Sequence, residues 1–279
     1  MSAVSAPADP ARLRDLLQTA HAAARAAADL LAGARPADIR SKAIPGDLVT
    51  EWDLRSEETI RRVLHERERG IPILGEEAGL GAEAAAPGGG GMRWLVDPID
   101  GTVNFAHGLP IWSISIGLED AGELLVGVVA APALGWWFEA VRGGGAIDAH
   151  GAPLGVSETA ELAAAMLGTG FPYDVATRAD NNMAEWDHLY RRAGQCRRLG
   201  SASLDLCLVG CGWFDGYWER YLHAWDVAAG ALIVREAGGV VTDTRGGPFD
   251  PHAGEVVATN GAIHGELLAE LGRVRRPAS

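Results

Sequence analysis

Trp94-Leu95-Val96-Asp97-Pro98-Ile99-Asp100-Gly101-Thr102 is the stretch that decides how this chain reads. An apolar run of strand character leads straight into Asp97. Pro98 has no N–H to give to a ladder, so the strand is expected to end there. Asp100 follows three residues after Asp97, and Gly101-Thr102 opens a turn or a short helix. Two carboxylates are thereby set at the carboxyl end of a strand, beside free backbone N–H groups. Oxygen donors of this kind suit Mg²⁺, which binds through a few carboxylates with water and phosphate. The N–H groups of Gly101 and Thr102 suit a phosphate. An isolated Asp-Gly is an ordinary capped turn, but the string DPxDGT behind a buried strand asks for more than turn chemistry.

Outward from this stretch, the first part of the chain reads as two helices and a sheet. Apolar spacing predicts a long helix over Ala11–Ala32 and a second over Asp53–Glu68 with Asp53 as its N-cap. Ile71–Leu74 is a short strand that ends at Gly75-Glu76-Glu77, a pair of acids that by itself reads as solvated. Ala84–Met92 is a low-complexity loop. Arg93–Val96, Ile111–Glu119, Glu123–Ala131 and Trp136–Val141 are strands, the middle pair joined at Asp120-Ala121-Gly122, and Gly143–Gly145 ends the sheet.

Beyond about residue 146 strands and helices mix. Strands are expected at Met166–Thr169, Asp215–Glu219, Val240–Asp243 and Val256–Thr259. Helices are expected at Asn181–Arg192, Ser201–Val209, Asp226–Ala237 and Ile263–Leu271. His223-Ala224-Trp225-Asp226 sets an acid at the mouth of the third of these helices, which by itself reads as an N-cap. Without strict βαβ alternation, the pattern is a layered α/β or α+β sandwich rather than a barrel.

The 279 residues carry 37 acids against 24 Lys and Arg, a formal net charge of −13, which argues against a nucleic-acid footprint or a polybasic membrane surface. With 48% hydrophobic and 22% charged residues the chain can bury a large core. Cys196, Cys207 and Cys211 match neither a disulfide framework nor a zinc spacing, and they read as core residues in a reducing cytoplasm. Residues 1–10 show no signal peptide and read as a flexible terminus. The longest uncharged run, Leu124–Phe138, is shorter than the roughly 20 residues a membrane span needs. GxxxxGK[ST], GxSxG and HExxH are absent. Gly79-Leu80-Gly81-Ala82-Glu83-Ala84 imitates a dinucleotide fingerprint without the helix that should follow it.

Two strings, WLVDPIDGTVNF (Trp94–Phe105) and WDVAAG (Trp225–Gly230), resemble signatures of the inositol monophosphatase family, within the lithium-sensitive, magnesium-dependent phosphatase superfamily. GDLVTEWD, GEEAG, GSASLDLC, EAGG and GGPFD lie around them in family order. The likeness covers about residues 11–272, with a tail at 273–279. It implies an αβαβα sandwich of the inositol monophosphatase and fructose-1,6-bisphosphatase type, a single phosphatase domain with sub-domains at about 11–145 and 146–272.

It also implies Mg²⁺-dependent hydrolysis of a phosphate monoester by in-line attack of water, two to three Mg²⁺ per site, inhibition by lithium, and a homodimer. Glu76, Asp97 and the carbonyl of Ile99 correspond to ligands of one metal, and Asp97, Asp100 and Asp226 to ligands of a second. A third, weaker ion is expected near Glu76. Thr102 and Asp53 correspond to the pair that orients the water, and the N–H groups of Gly101 and Thr102 to a phosphate cradle. Asp100, Ala202 and Glu219 correspond to substrate contacts, and Lys42 to a lysine near the metal loop. Inositol 1-phosphate is the first substrate reading, since Glu219 can accept bonds from vicinal hydroxyls. Histidinol phosphate, suggested by Gly127–Gly135, fructose 1,6-bisphosphate and nucleotide 3′-phosphates are the enzymatic alternatives. A regulatory protein-binding role is the alternative of another class.

Overall fold

The computed structural model describes residues 9–42, 44, 46–80 and 91–275. The expected loop at Ala84–Met92 lies outside these residues except at its end, as do most of the expected flexible terminus at 1–10 and the last residues of the tail. In chain order the elements are α1 (Pro10–Leu31), β1 (Ile39–Ser41), β2 (Leu48–Thr50), α2 (Glu51–Arg67), β3 (Ile73–Gly75), β4 (Gly79–Leu80), β5 (Met92–Asp100) and α3 (Thr102–Ala106). The chain continues with β6 (Ser113–Asp120), β7 (Glu123–Ala131), β8 (Trp136–Val141), β9 (Gly145–Asp148), β10 (Met166–Thr169), α4 (Met183–Tyr190) and β11 (Gln195–Arg197). It closes with α5 (Ala202–Gly210), β12 (Gly216–Arg220), α6 (Ala224–Glu236), β13 (Val240–Thr242), β14 (Glu255–Thr259) and α7 (His264–Arg275).

Five layers result. Helices α1 and α2 cover one face of a seven-stranded sheet ordered β4-β3-β5-β6-β7-β8-β9. Leu16, Ala20, Ala24 and Ala27 of α1 meet Ile114, Ile116, Val126 and Val128 there, all essentially without solvent access. The other face packs on α5 and α6, and these in turn face a five-stranded sheet ordered β11-β10-β12-β14-β13. Leu189 of α4 and Leu267 and Leu271 of α7 close the outside of that second sheet. This is the expected αβαβα order, and each layer follows from one apolar face seeking another. Among the described residues no helix is long and apolar enough to cross a membrane.

α6 approaches the first sheet more closely than ordinary side chains allow. Gly117 and Gly127 pair across β6 and β7. A methyl group on Gly127 would stand 2.7 Å from the carbonyl oxygen of Ala229, and one on Gly117 3.0 Å from Cβ of Ala228. Two paired residues without side chains thus let the α6 backbone lie against the strands.

Several boundaries differ from the sequence expectation, each for a local reason. Pro98 does not end β5. The ladder shifts register between Asp97 and Asp100 and resumes with Asp100 opposite Ser113, so the proline occupies a bulge where no N–H is needed. Gly143–Gly145 does not end the sheet either, because it turns the chain into β9, which pairs back on β8. Helix α2 starts two residues earlier than Asp53. Thr50 is its N-cap, accepting a bond from the Trp52 N–H, and Asp53 is the third helical residue. Asp226 likewise sits third in α6, after His223.

Candidate active site

The expected acids meet at one cavity of about 400 Å³ between the two sheets, lined by Glu76, Asp97, Ile99, Asp100, Gly101, Thr102, Ala202, Glu219 and Asp226. The elements that deliver them explain the convergence. β5 carries Asp97 and Asp100 to its carboxyl end, the turn after β3 carries Glu76, and the first turn of α6 carries Asp226.

Asp97 is 2% exposed, and its Oδ1 accepts the Ile99 N–H at 3.0 Å. Asp100 is set against the start of α5. Its Oδ2 accepts from the Ser201 hydroxyl (2.8 Å), the Ser203 N–H (2.7 Å) and the Ser203 hydroxyl (2.7 Å). Oδ1 accepts from the Ala202 N–H at 3.2 Å. These donors fix a carboxylate at a helix N-terminus, where the helix dipole favours it. Gly101 follows with φ +97°, and a methyl there would lie 3.0 Å from the Gly200 carbonyl oxygen, so neither the conformation nor the space admits a side chain.

Behind the cavity wall, Thr102 Oγ1 lies 3.0 Å from both Asp53 Oδ1 and the carbonyl oxygen of Ile99. Asp53 has no solvent access and does not line the cavity, and its Oδ2 accepts from the N–H (2.7 Å) and hydroxyl (2.6 Å) of Thr50. Lys42 reaches Glu76 Oε1 and Glu77 Oε1, each at 2.7 Å. Lys42 loses solvent, yet Glu76 and Glu77 hold its ammonium above the ordinary lysine range. At the far strand, the Tyr217 hydroxyl donates to Glu219 Oε2.

The electrostatics are those of crowded like charges. Loss of solvent, then repulsion from Glu76, Asp100 and Asp226, raises Asp97 well above the usual carboxylate range. Asp226 rises in the same way, from desolvation first and then from Asp100 and Glu76, against one stabilising bond from the His223 N–H. Desolvation also lifts Glu76 to about 7 against the pull of Lys42, and Glu219 to about 7 against the Tyr217 bond. A bound cation would relieve this repulsion, and the oxygen-only donor set suits a hard ion.

Among the described residues, no three His, Cys, Asp or Glu side chains gather closely enough to enclose one ion between them. Glu76 is bonded by Lys42, and Asp100 by Ser201 and Ser203. Mg²⁺ keeps several waters and binds through one or two carboxylates with phosphate, so an open wall of acids fits it where a closed cage is not required.

Residues outside the sequence reading complete the site. Glu57, 2% exposed, accepts the N–H groups of Glu77 (2.7 Å) and Ala78 (3.1 Å) and so fixes the turn that bears Glu76. Ser201 and Ser203 hold Asp100, and Arg198, Tyr173, Tyr221 and His223 line the cavity. No motif flags Glu57. Its role appears only once α2 lies beside β3.

Residues 12–276 match the profile of the inositol monophosphatase family. A Synechocystis protein named inositol-1-monophosphatase is 43% identical over 233 residues, 84% of this chain and 79% of its own length. The Mycobacterium tuberculosis inositol-1-monophosphatase SuhB is 40% identical over 281 residues, 95% of either chain. The solved structure of an inositol monophosphatase from Anabaena superposes with a TM-score of 0.85 at 38% identity, covering 94% of this chain and 97% of that one. The chain belongs to the inositol monophosphatase family.

Proposed function

We propose that this chain hydrolyses phosphate monoesters in a Mg²⁺-dependent reaction, with inositol 1-phosphate as its substrate. The observation that carries the reading is the meeting of Glu76, Asp97, Asp100 and Asp226 with Glu219 in one cavity. The first four repel one another and call for cations; the fifth offers an acceptor to hydroxyl groups.

As the family likeness implies, Glu76, Asp97 and the Ile99 carbonyl would hold one Mg²⁺ and Asp97, Asp100 and Asp226 a second, these acids closing on the ion as it neutralises their repulsion, and Glu76 would help hold a weaker third. Mg²⁺ held by these residues would supply Lewis-acid polarisation of the phosphoryl oxygens and charge compensation for the departing alkoxide. The hydroxyl of Thr102 has one proton, which Asp53 Oδ1 can accept at 3.0 Å. Its lone pairs are then free to take a hydrogen bond from the attacking water and aim it in line with the scissile P–O bond. The N–H groups of Gly101 and Thr102 face the phosphate. Lys42 offsets the charge of Glu76 and Glu77 at 2.7 Å. Glu219 Oε2 is occupied by Tyr217, which leaves Oε1 for vicinal hydroxyls of the alcohol beside Ala202 and Asp100. As the P–O bond to the alcohol breaks, the water oxygen joins phosphorus, one of its protons ends on the alkoxide oxygen and the other stays with the phosphate.

The test is phosphate release from inositol 1-phosphate with Mg²⁺, compared with Asp97→Asn. Undiminished turnover in that variant would sink the metal assignment. Lithium is expected to inhibit by competing at the Asp226 site. All three cysteines are free thiols, in keeping with the cytoplasmic setting we assign. We propose a homodimer on the strength of the family likeness alone, and sedimentation checks it.

A further inference from the structure

Among the described residues three non-glycine residues have positive φ: Ala121, Asn182 and Tyr221. The first two have local reasons. Ala121 lies in the tight turn between β6 and β7. Asn182 is the N-cap of α4, of a residue type that tolerates the left-handed region, and its side chain bonds Thr169, Gly170 and Trp218. Tyr221, at φ +67°, has no such reason, because a bulky aromatic residue is strongly disfavoured there. Strain of this kind persists only where surrounding contacts over-determine it, and it gathers at functional sites.

The contacts around Tyr221 do over-determine it. Its hydroxyl donates to Asp180 Oδ2 at 2.9 Å. The Arg178 guanidinium carbon lies 4.0 Å from the ring centroid, and Arg178 is itself held by Asp174 at 2.7 Å. Arg220, next in the chain, pairs with Asp180 and Glu185. Despite these ties the side chain is not buried. It is 40% exposed, follows Glu219 by two residues and lines the same cavity as Glu219 and Ala202.

Resting on the phosphatase reading above, we propose that Tyr221 is a specificity-determining residue. Its ring, on the face that Arg178 does not cover, forms the wall against which the ring of a cyclic polyol phosphate packs. A cyclitol presents a face of C–H groups, and an aromatic face carries the negative quadrupole that attracts them. Glu219 then reads the hydroxyl edge of the alcohol and Tyr221 its C–H face. An acyclic alcohol has no such face, so the wall sorts substrates by shape while the acids treat every phosphate alike.

The test compares myo-inositol 1-phosphate with glycerol 2-phosphate in the wild type, Y221F and Y221G, with thermal unfolding of each. Y221F keeps the ring and is expected to hold kcat/KM for both substrates within about twofold. Y221G is expected to lose about tenfold in kcat/KM on the inositol ester, mainly through KM, with the glycerol ester nearly unchanged. Glycine relieves the left-handed conformation and gives up the Asp180 and Arg178 contacts, so Y221G is expected to stay folded at the assay temperature while unfolding somewhat earlier than wild type. Should Y221G fail to fold, Y221N gives the same comparison with a side chain at home in that region. Equal losses on the two esters, or none on either, would overturn the proposal and leave the phosphatase reading standing. A wild-type enzyme inactive on both esters would instead overturn the phosphatase reading, and the proposal with it.

Discussion

Helix α6 begins at the cavity and α2 begins behind its wall, and both place an aspartate third in the helix, where its carboxylate reaches back to the N–H of the cap residue. The local chemistry is shared, but the surroundings are opposite. Around Asp53 every donor faces inward. Thr50 gives two bonds and Thr102 a third, and solvent has no access. Around Asp226 one backbone N–H stands against the charges of Asp100, Glu76 and Glu219, and the carboxylate lines the cavity. One helix start is closed and satisfied; the other is open and short of positive charge. The same capping geometry therefore serves as a clamp in the first case and leaves an under-compensated carboxylate in the second.

The largest effect expected from breaking this comparison is on turnover. Asp226→Asn is expected to lower kcat by ~10²-fold or more while raising the unfolding temperature of the metal-free protein, because it removes one of several crowded charges. A steady-state assay and a melt in chelator measure both, and a drop in both quantities would count against the open reading. Next is the response to metal. At a hundredfold excess over its dissociation constant, Mg²⁺ stabilises by about 2.7 kcal/mol. Asp226→Asn should lose most of that shift and Asp53→Asn should retain it.

Asp53→Asn is expected to behave as damage to a clamp. An amide nitrogen must then face one of three inward donors, so stability falls by about 1–3 kcal/mol, and denaturant melts should show it with or without metal. The smallest effect concerns Glu219, a neighbour of the open site. Its carboxyl titrates near 7 when folded against 4.5 when free, so it stabilises the fold below the lower value and loses that contribution as pH rises through the higher one. The unfolding temperature of Glu219→Gln should come closest to wild type near pH 4 and exceed it clearly at pH 8. A difference that stays flat across that range would remove Glu219 from the account.

How much of this could be read in advance depended on range. The strand-to-acid string at 94–102 is a local pattern, whereas the acids at 76 and 226 read alone as a solvated pair and an N-cap and are tied to it by the family likeness; the structure brings all of them together at one cavity. Fold class followed from the mixture of periods, and the family likeness narrowed it to the observed layers. Misreadings came where a local rule had two outcomes. Asp53 and Asp226 look like N-caps because acids favour helix starts, yet the Thr50-x-x-Asp53 spacing already marked Asp53 as the reciprocal partner in a capping box. Pro98 looked like a strand end because the possibility of a bulge is invisible until β6 is placed alongside. β1, β2 and β11 have three residues each, too few to show a period, and exist through pairing. Glu57, Ser201, Ser203 and Tyr221 act across long stretches of chain, and no spacing rule links them to their partners.

The paired glycines under α6 set a mechanical tolerance for the chemistry. Asp97 and Asp100 ride on the sheet and Asp226 rides on the helix above it, so the gap between these carboxylates is the thickness of one interface. Mg²⁺ demands oxygens at 2.0–2.1 Å in near-octahedral order, which leaves that gap little freedom. A methyl group at Gly127 would act as a shim between the two ligand-bearing layers, since Ala229 leaves it only 2.7 Å. The proposed metal site would thus be gauged from below, at a position that neither touches substrate nor carries a functional group.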